Sequence, residues 1–298
     1  MKGLLKSSLA VLALGTVAAL TSMAPSRQGY KTPALVDTIT VSGSYIDRPM
    51  KVTVAVPEGY GNDTTRYPVI YLLNGHGGDY RNWPRLVPVD SIATRYGAVV
   101  VCPSGFNSWY WDSPVKEGLQ MESFFIKELV PAIDSMYRTI PQAQSRAITG
   151  FSMGGHGALW LAIRHSDVFA HAGASSGGVD IRPFPKSWGM HGLLGKQSEN
   201  RERWDRHTVI NLVDSLKPGQ INIIFDCGTE DFFYKVNCSL DSALNARRIP
   251  HIYLTSPGQH NGHYWERAIY PQLDFFRSGT ASIKMFNMPV RRSCPSDC

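Results

Sequence analysis

Ala147-Ile148-Thr149-Gly150-Phe151-Ser152-Met153-Gly154 is the stretch on which the reading of this chain turns. Residues 147–149 form a short apolar run, and from 154 to 165 apolar residues recur at i, i+3 and i+4, the spacing of a helix packed on one face. A G-x-S-x-G therefore lies where a strand gives way at once to a helix. That is the context a reactive serine needs. The serine occupies a strained strand-to-helix turn, the glycines on either side are required because a Cβ there would strike neighbouring backbone, and the helix N-terminus behind it favours developing negative charge.

Outward from this turn the same grammar repeats. Residues 69–73, 98–102, 147–149, 221–225 and 252–254 are nearly continuous apolar runs, the mark of fully buried parallel strands. Helical periodicity follows over 121–137, 154–165, 240–248 and 262–276. Strand then helix, repeated, predicts an α/β fold with a mostly parallel, doubly wound sheet. Residues 38–41 and 51–56 alternate with period two and follow each other too closely for a crossover helix, so an antiparallel N-terminal hairpin should form one edge. The span 180–213 breaks the alternation with Pro183, Pro185, Trp188, Gly189 and Gly192, and predicts an excursion over the catalytic end of the sheet that covers the acyl site.

A serine hydroxyl needs a base, and the base an orienting acid. Both are available in loops that follow strands, where α/β sheets build their sites. After 221–225 comes Asp226-Cys227-Gly228-Thr229-Glu230-Asp231; Asp226 belongs to the strand, which favours Asp231 as the acid, with Glu230 as the alternative. After 252–254 comes Pro257-Gly258-Gln259-His260-Asn261-Gly262-His263, where His260 lies in the loop and His263 in the first turn of the last helix; His260 is the preferred base. The oxyanion requires two backbone N–H donors: one from Met153, after the nucleophile, and one from His76 in Asn74-Gly75-His76-Gly77-Gly78, which follows the strand 69–73.

Composition narrows the class. The chain has 298 residues, 43% hydrophobic and 18% charged, enough to bury the core of one large domain and too apolar for disorder. Lys2 and Lys6 precede an uncharged run over 9–20 that is too short to span a bilayer, with Ser22-Met23-Ala24 beyond it, which predicts a signal peptide over 1–24 and a secreted or periplasmic protein with no stable membrane insertion. The α/β domain should then run over 25–279, with a tail over 280–298. The net charge of +6 falls by two when Lys2 and Lys6 leave, and the remaining cations are scattered, so nucleic acid is not an expected partner. Five cysteines are too few for a disulfide scaffold; Cys227 and Cys238 could bridge across a loop, and no Cys/His spacing suggests a metal site, so no metal or cofactor is expected.

The assembled residues resemble the esterase-D-like branch of the α/β-hydrolases, which includes feruloyl and acetylxylan esterases of carbohydrate esterase family one, S-formylglutathione hydrolases and the antigen 85 mycolyltransferases. The likeness covers residues 38–276 and rests on Tyr71-Leu72-Leu73-Asn74-Gly75-His76-Gly77-Gly78, Met121-Glu122-Ser123-Phe124-Phe125, Gly150-Phe151-Ser152-Met153-Gly154-Gly155, Cys227-Gly228-Thr229-Glu230-Asp231-Phe232 and Pro257-Gly258-Gln259-His260. It implies Ser152 as nucleophile, Asp231 as acid, His260 as base, and His76 with Met153 as oxyanion donors. Asn74 replaces the family's usual His, and Gly262 stands where many relatives carry Trp. Trp83, Trp109, Tyr110, Trp111 and Trp188 fall on loops expected near the site, and Trp109, Trp111 and Trp188 are taken as substrate-binding because aromatic faces suit a phenolic acyl group or a sugar ring. The expected activity is hydrolysis of feruloyl or acetyl esters on a polysaccharide or small molecule. An acyltransferase of the antigen 85 kind is the alternative, and a non-catalytic carbohydrate-binding protein on a hydrolase scaffold a third, against which the ordered Ser, Asp and His set weighs.

Overall fold

In the computed structural model, residues 34–62 and 64–280 are described. The signal peptide expected over 1–24 and the tail beyond Thr280, with Cys294 and Cys298, lie outside them. Runs of Val, Ile and Leu uninterrupted by charge can be accommodated only where both faces of a strand are covered. β3 (Val69–Leu73), β4 (Val99–Pro103), β5 (Arg146–Gly150) and β6 (His171–Ser175) are buried along their whole length. With β1 (Leu35–Val41), β2 (Met50–Val56), β7 (Asn222–Gly228) and β8 (His251–Ser256) they form one eight-stranded sheet in the order β1-β2-β4-β3-β5-β6-β7-β8. β1 pairs antiparallel with β2, and β2 antiparallel with β4, while every pair from β4 through β3 to β8 is parallel. The edge hairpin and the doubly wound α/β sheet are as the sequence predicts.

Helices cover both faces. α2 (Val89–Tyr96) and α10 (Gly262–Thr280) bury Ile92, Ala93, Ile269 and Leu273 on one side, together with Trp83 of the short α1 (Asn82–Leu86). On the other side lie α3 (Met121–Phe124), α4 (Val130–Met136), α5 (Met153–Arg164) and α9 (Tyr234–Ala246), with Phe124, Ile133, Leu159 and Leu240 in the larger core. Glu122, in the Met121-Phe125 motif, is buried and accepts hydrogen bonds from Trp160 Nε1 and Arg164 Nε, which locks α3 to α5.

Several expectations are corrected. The single helix expected over 121–137 is interrupted by a π turn at Phe125–Leu129, which ends two residues before Pro131. Proline lacks an N–H and its ring crowds the carbonyl four residues back, and widening the preceding turn relieves both. β8, read as fully buried, is the sheet edge and alternates in exposure, with Ile252 and Leu254 36% and 38% exposed. The span 180–213 is less irregular than its prolines and glycines suggest: α6 (His191–Leu194), α7 (Arg201–Arg206) and α8 (Val209–Leu212) bury Met190, Leu194, Trp204 and Val209 in the core. Cys227 and Cys238 are buried thiols with no bridge between them.

Candidate active site

Ser152 caps the N-terminus of α5 with φ 58° and ψ −121°. Its N–H donates to Ser175 O of β6 at 3.0 Å, and Gly154 N–H donates to Phe151 O at 2.8 Å, so the turn is closed from both sides. A Cβ on Gly150 would lie 2.6 Å from Leu73 O, and one on Gly154 only 2.3 Å from the same atom. Both glycines are therefore demanded by the approach of the elbow to β3.

The acid and base loops are held against each other by backbone. Thr229 N–H donates to Ser256 O and Glu230 N–H to Gly258 O, each at 3.0 Å, and a Cβ on Gly228 would lie 2.3 Å from Gly258 O, so only glycine allows this contact. Asp231 Oδ1 accepts Phe233 N–H at 2.8 Å, and Asp231 Oδ2 lies 2.8 Å from His260 Nδ1. His260 Nε2 lies 2.9 Å from Ser152 Oγ. With Nδ1–H donated to the carboxylate, Nε2 is left to accept the serine proton. Glu230 instead accepts from Gln259 Nε2 at the surface, and His263 is exposed and pairs with Glu266. Asp226 sits within β7, where its Oδ2 accepts from Ser175 Oγ and Gln272 Nε2 and takes no part in this chain of hydrogen bonds.

His76 and Met153 flank Ser152 on the two backbones expected to supply oxyanion donors. Gly77 N–H donates to Asn107 Oδ1 at 2.6 Å and Gly78 N–H to Gly75 O, which sets the curl of that loop. Asn74 supports it from beneath: its Oδ1 accepts Gly105 N–H and its carbonyl accepts Tyr110 O–H. The His76 ring hydrogen-bonds to the Trp188 backbone, and burial holds its imidazole below the usual histidine range, so it is neutral near pH 7. A cleft of about 440 Å³ opens here, lined by His76, Ser152, His260, Trp188, Arg85, Leu86, Gly262 and Trp265 among others.

Residues 43–276 match the family described as "Putative esterase". The chain belongs to the esterase family. This esterase-family chain is 35% identical over 136 residues to an esterase of Mycobacterium tuberculosis, an alignment that takes in 44% of this chain and spans 30% of that relative's length. It is 29% identical over 221 residues to an acetyl esterase of Caldicellulosiruptor saccharolyticus, covering 70% of this chain and 82% of the other. Among solved structures, a ferulic acid esterase superposes with a TM-score of 0.73 at 27% identity, over 84% of this chain and 99% of that one.

Within this esterase-family fold the aromatic residues divide. Trp188 lines the cleft, against Phe232 at 5.7 Å and Phe233 at 5.2 Å between ring centroids. Trp109 and Trp111, expected to bind substrate, do not reach it: they are 1% and 0% exposed and stack on each other behind the elbow helix. Trp111 Nε1–H donates to His156 Nε2 at 2.8 Å, and His156 Nδ1 lies 2.9 Å from Gly178 O. Burial presses the His156 imidazole down to about 3, so it stays neutral and serves as a polar pin between α5 and the loop after β6. Trp83 and Tyr110 are likewise buried, bonded to Leu73 O and Asn74. The reason is conformational. Phe106, Asn107, Trp109 and Tyr110 all have positive φ, which folds the loop after β4 back under the oxyanion loop. Asn107, Tyr110 and His156 are thus supporting residues that the sequence does not reveal, because nothing in their local pattern signals a left-handed backbone or a buried histidine bonded to Trp111.

Proposed function

We propose that this chain is an exported serine carboxylesterase that hydrolyses feruloyl or acetyl esters of polysaccharide through an acyl-enzyme on Ser152. The observation that carries this reading is the unbroken run of hydrogen bonds from Asp231 through His260 to Ser152. His260 Nε2 takes the serine proton as Oγ attacks the ester carbonyl, and the oxyanion forms against the N–H groups of His76 and Met153. Collapse breaks the ester C–O bond, and His260 returns the proton to the departing alcohol oxygen. Water, activated by the same imidazole, then releases the acid. Asp231, its side chain fully buried, holds the imidazole in the required tautomer and stabilises the imidazolium.

Trp188 and the exposed ring of Phe232 form a wall suited to a phenolic acyl group, which favours the feruloyl class. The ferulic acid esterase and the acetyl esterase among its relatives support the same substrate range. A panel of methyl ferulate, acetylated xylan and short acyl esters tests it. Turnover of the first two and a loss of ~10⁴ to 10⁶ in kcat for Ser152→Ala are expected. Full activity in folded Ser152→Ala would overturn the assignment, and ester product formed on an added sugar would assign acyl transfer instead.

A further inference from the structure

The cleft at Ser152 has two differently built ends. One carries Trp188 and its aromatic neighbours. The other is lined by Arg85 and Leu86 of α1 and by Gly262 and Trp265 of α10. A Cβ on Gly262 would lie 2.7 Å from Leu86 Cδ2, so α1 closes directly onto the turn that follows His260, and this end keeps its width because residue 262 has no side chain.

Arg85 is exposed, and among the described residues no carboxylate lies within ion-pair distance of it. The acid whose charge it most directly influences, Asp79, is already held in a two-pronged pair by Arg81. No acidic side chain lines the cleft. A guanidinium at the mouth of an otherwise neutral cleft, with its fork of donors uncommitted, is matched by a carboxylate. The chain's net charge, +6 in full and two lower without Lys2 and Lys6, adds a field of the same sign.

We propose that Arg85 forms a leaving-group subsite for an anionic alcohol, so that the preferred esters are those whose alcohol carries a carboxylate, as in a hydroxy acid or a uronate unit. This rests on the serine-esterase reading, with the acyl group toward Trp188. The ester then lies across Ser152 with its alcohol oxygen before His260 Nε2 and its carboxylate on Arg85.

The test compares 4-carboxyphenyl acetate with its neutral near-isostere 4-carbamoylphenyl acetate. The ratio of their kcat/KM values in the native protein should exceed that in Arg85→Gln by about three- to tenfold, with Arg85→Lys between them and Arg85→Glu below Arg85→Gln. The gap should shrink in about 0.5 M salt. A second pair, 4-nitrophenyl hemisuccinate and 4-nitrophenyl butyrate, places the charge on the acyl side and should respond little to these substitutions. An unchanged ratio in Arg85→Gln and Arg85→Glu overturns the subsite, and a response confined to the acyl pair overturns its place at the leaving group. If none of the four esters is hydrolysed, the esterase reading itself fails, and the subsite with it.

Discussion

Ser152 is held at a positive φ that costs a residue with a side chain roughly 1 to 3 kcal/mol, and it persists because Ser175 O, Gly150 and Gly154 leave the chain no other path. The motif was readable from sequence because Gly150, Ser152 and Gly154 lie within five consecutive positions between a strand and a helix, although the backbone that demands the glycines belongs to β3. The choice between His260 and His263 was not of that kind. They are three positions apart, and which ring faces Ser152 depends on how the loop after β8 meets the loop after β7 through Gly228 and Gly258. His260→Ala should lower kcat by ~10⁴ or more, since the serine loses its base, whereas His263→Ala should stay within about threefold of the native rate. Steady-state kinetics on one chromogenic ester decides it, and an inactive His263→Ala with an active His260→Ala would reverse the assignment.

Among elements, the excursion over 180–213 is the one that brings Trp188 to the cleft. Its prolines and glycines signalled a departure from the strand–helix alternation, but not that α6, α7 and α8 would seat it on the core. Trp188 projects from it at φ 47° next to Gly189, and its backbone holds the His76 ring, so the excursion touches both the cleft and the loop that carries His76. Trp188→Ala should lower kcat/KM for methyl ferulate relative to an acetyl ester by about 5- to 30-fold, the worth of one aromatic contact of about 1 to 2 kcal/mol. Equal losses on both esters would mean that the ring only supports the fold. Trp109 and Trp111 make the useful contrast: their loop position looked equivalent, and the left-handed turns at 106–110 send them inward.

At the scale of the whole molecule, a buried polar network ties the central strands to the last helix. Thr149 Oγ–H donates to Gln272 Oε1, and Gln272 Nε2 donates to Asp226 Oδ2 and to Ser175 Oγ, linking β5, β6 and β7 to α10. Burial raises the Asp226 carboxyl to about 7, against the opposing hydrogen bonds from Gln272, Ser175 and Tyr264, and its Oδ1 has no partner. Because the native state holds this proton and the unfolded chain gives it up near pH 4, the contribution is full below about pH 4 and is lost as pH rises to about 7, by at most about 4 kcal/mol. Asp226→Asn should therefore gain stability relative to the native protein between about pH 5 and pH 8 in urea denaturation, and a difference independent of pH would refute this. Such a carboxyl looks in sequence like any acid at a strand end, since its state depends on four elements brought together. Sequence alone determined the strand–helix alternation, the edge hairpin and the elbow, because apolar period and the five-residue elbow motif are written in consecutive residues. Only the tertiary structure decided which histidine faces Ser152, which tryptophans line the cleft, that β8 is an edge and that Arg85 stands at its mouth, because side-chain direction and burial are set by segments distant in the chain.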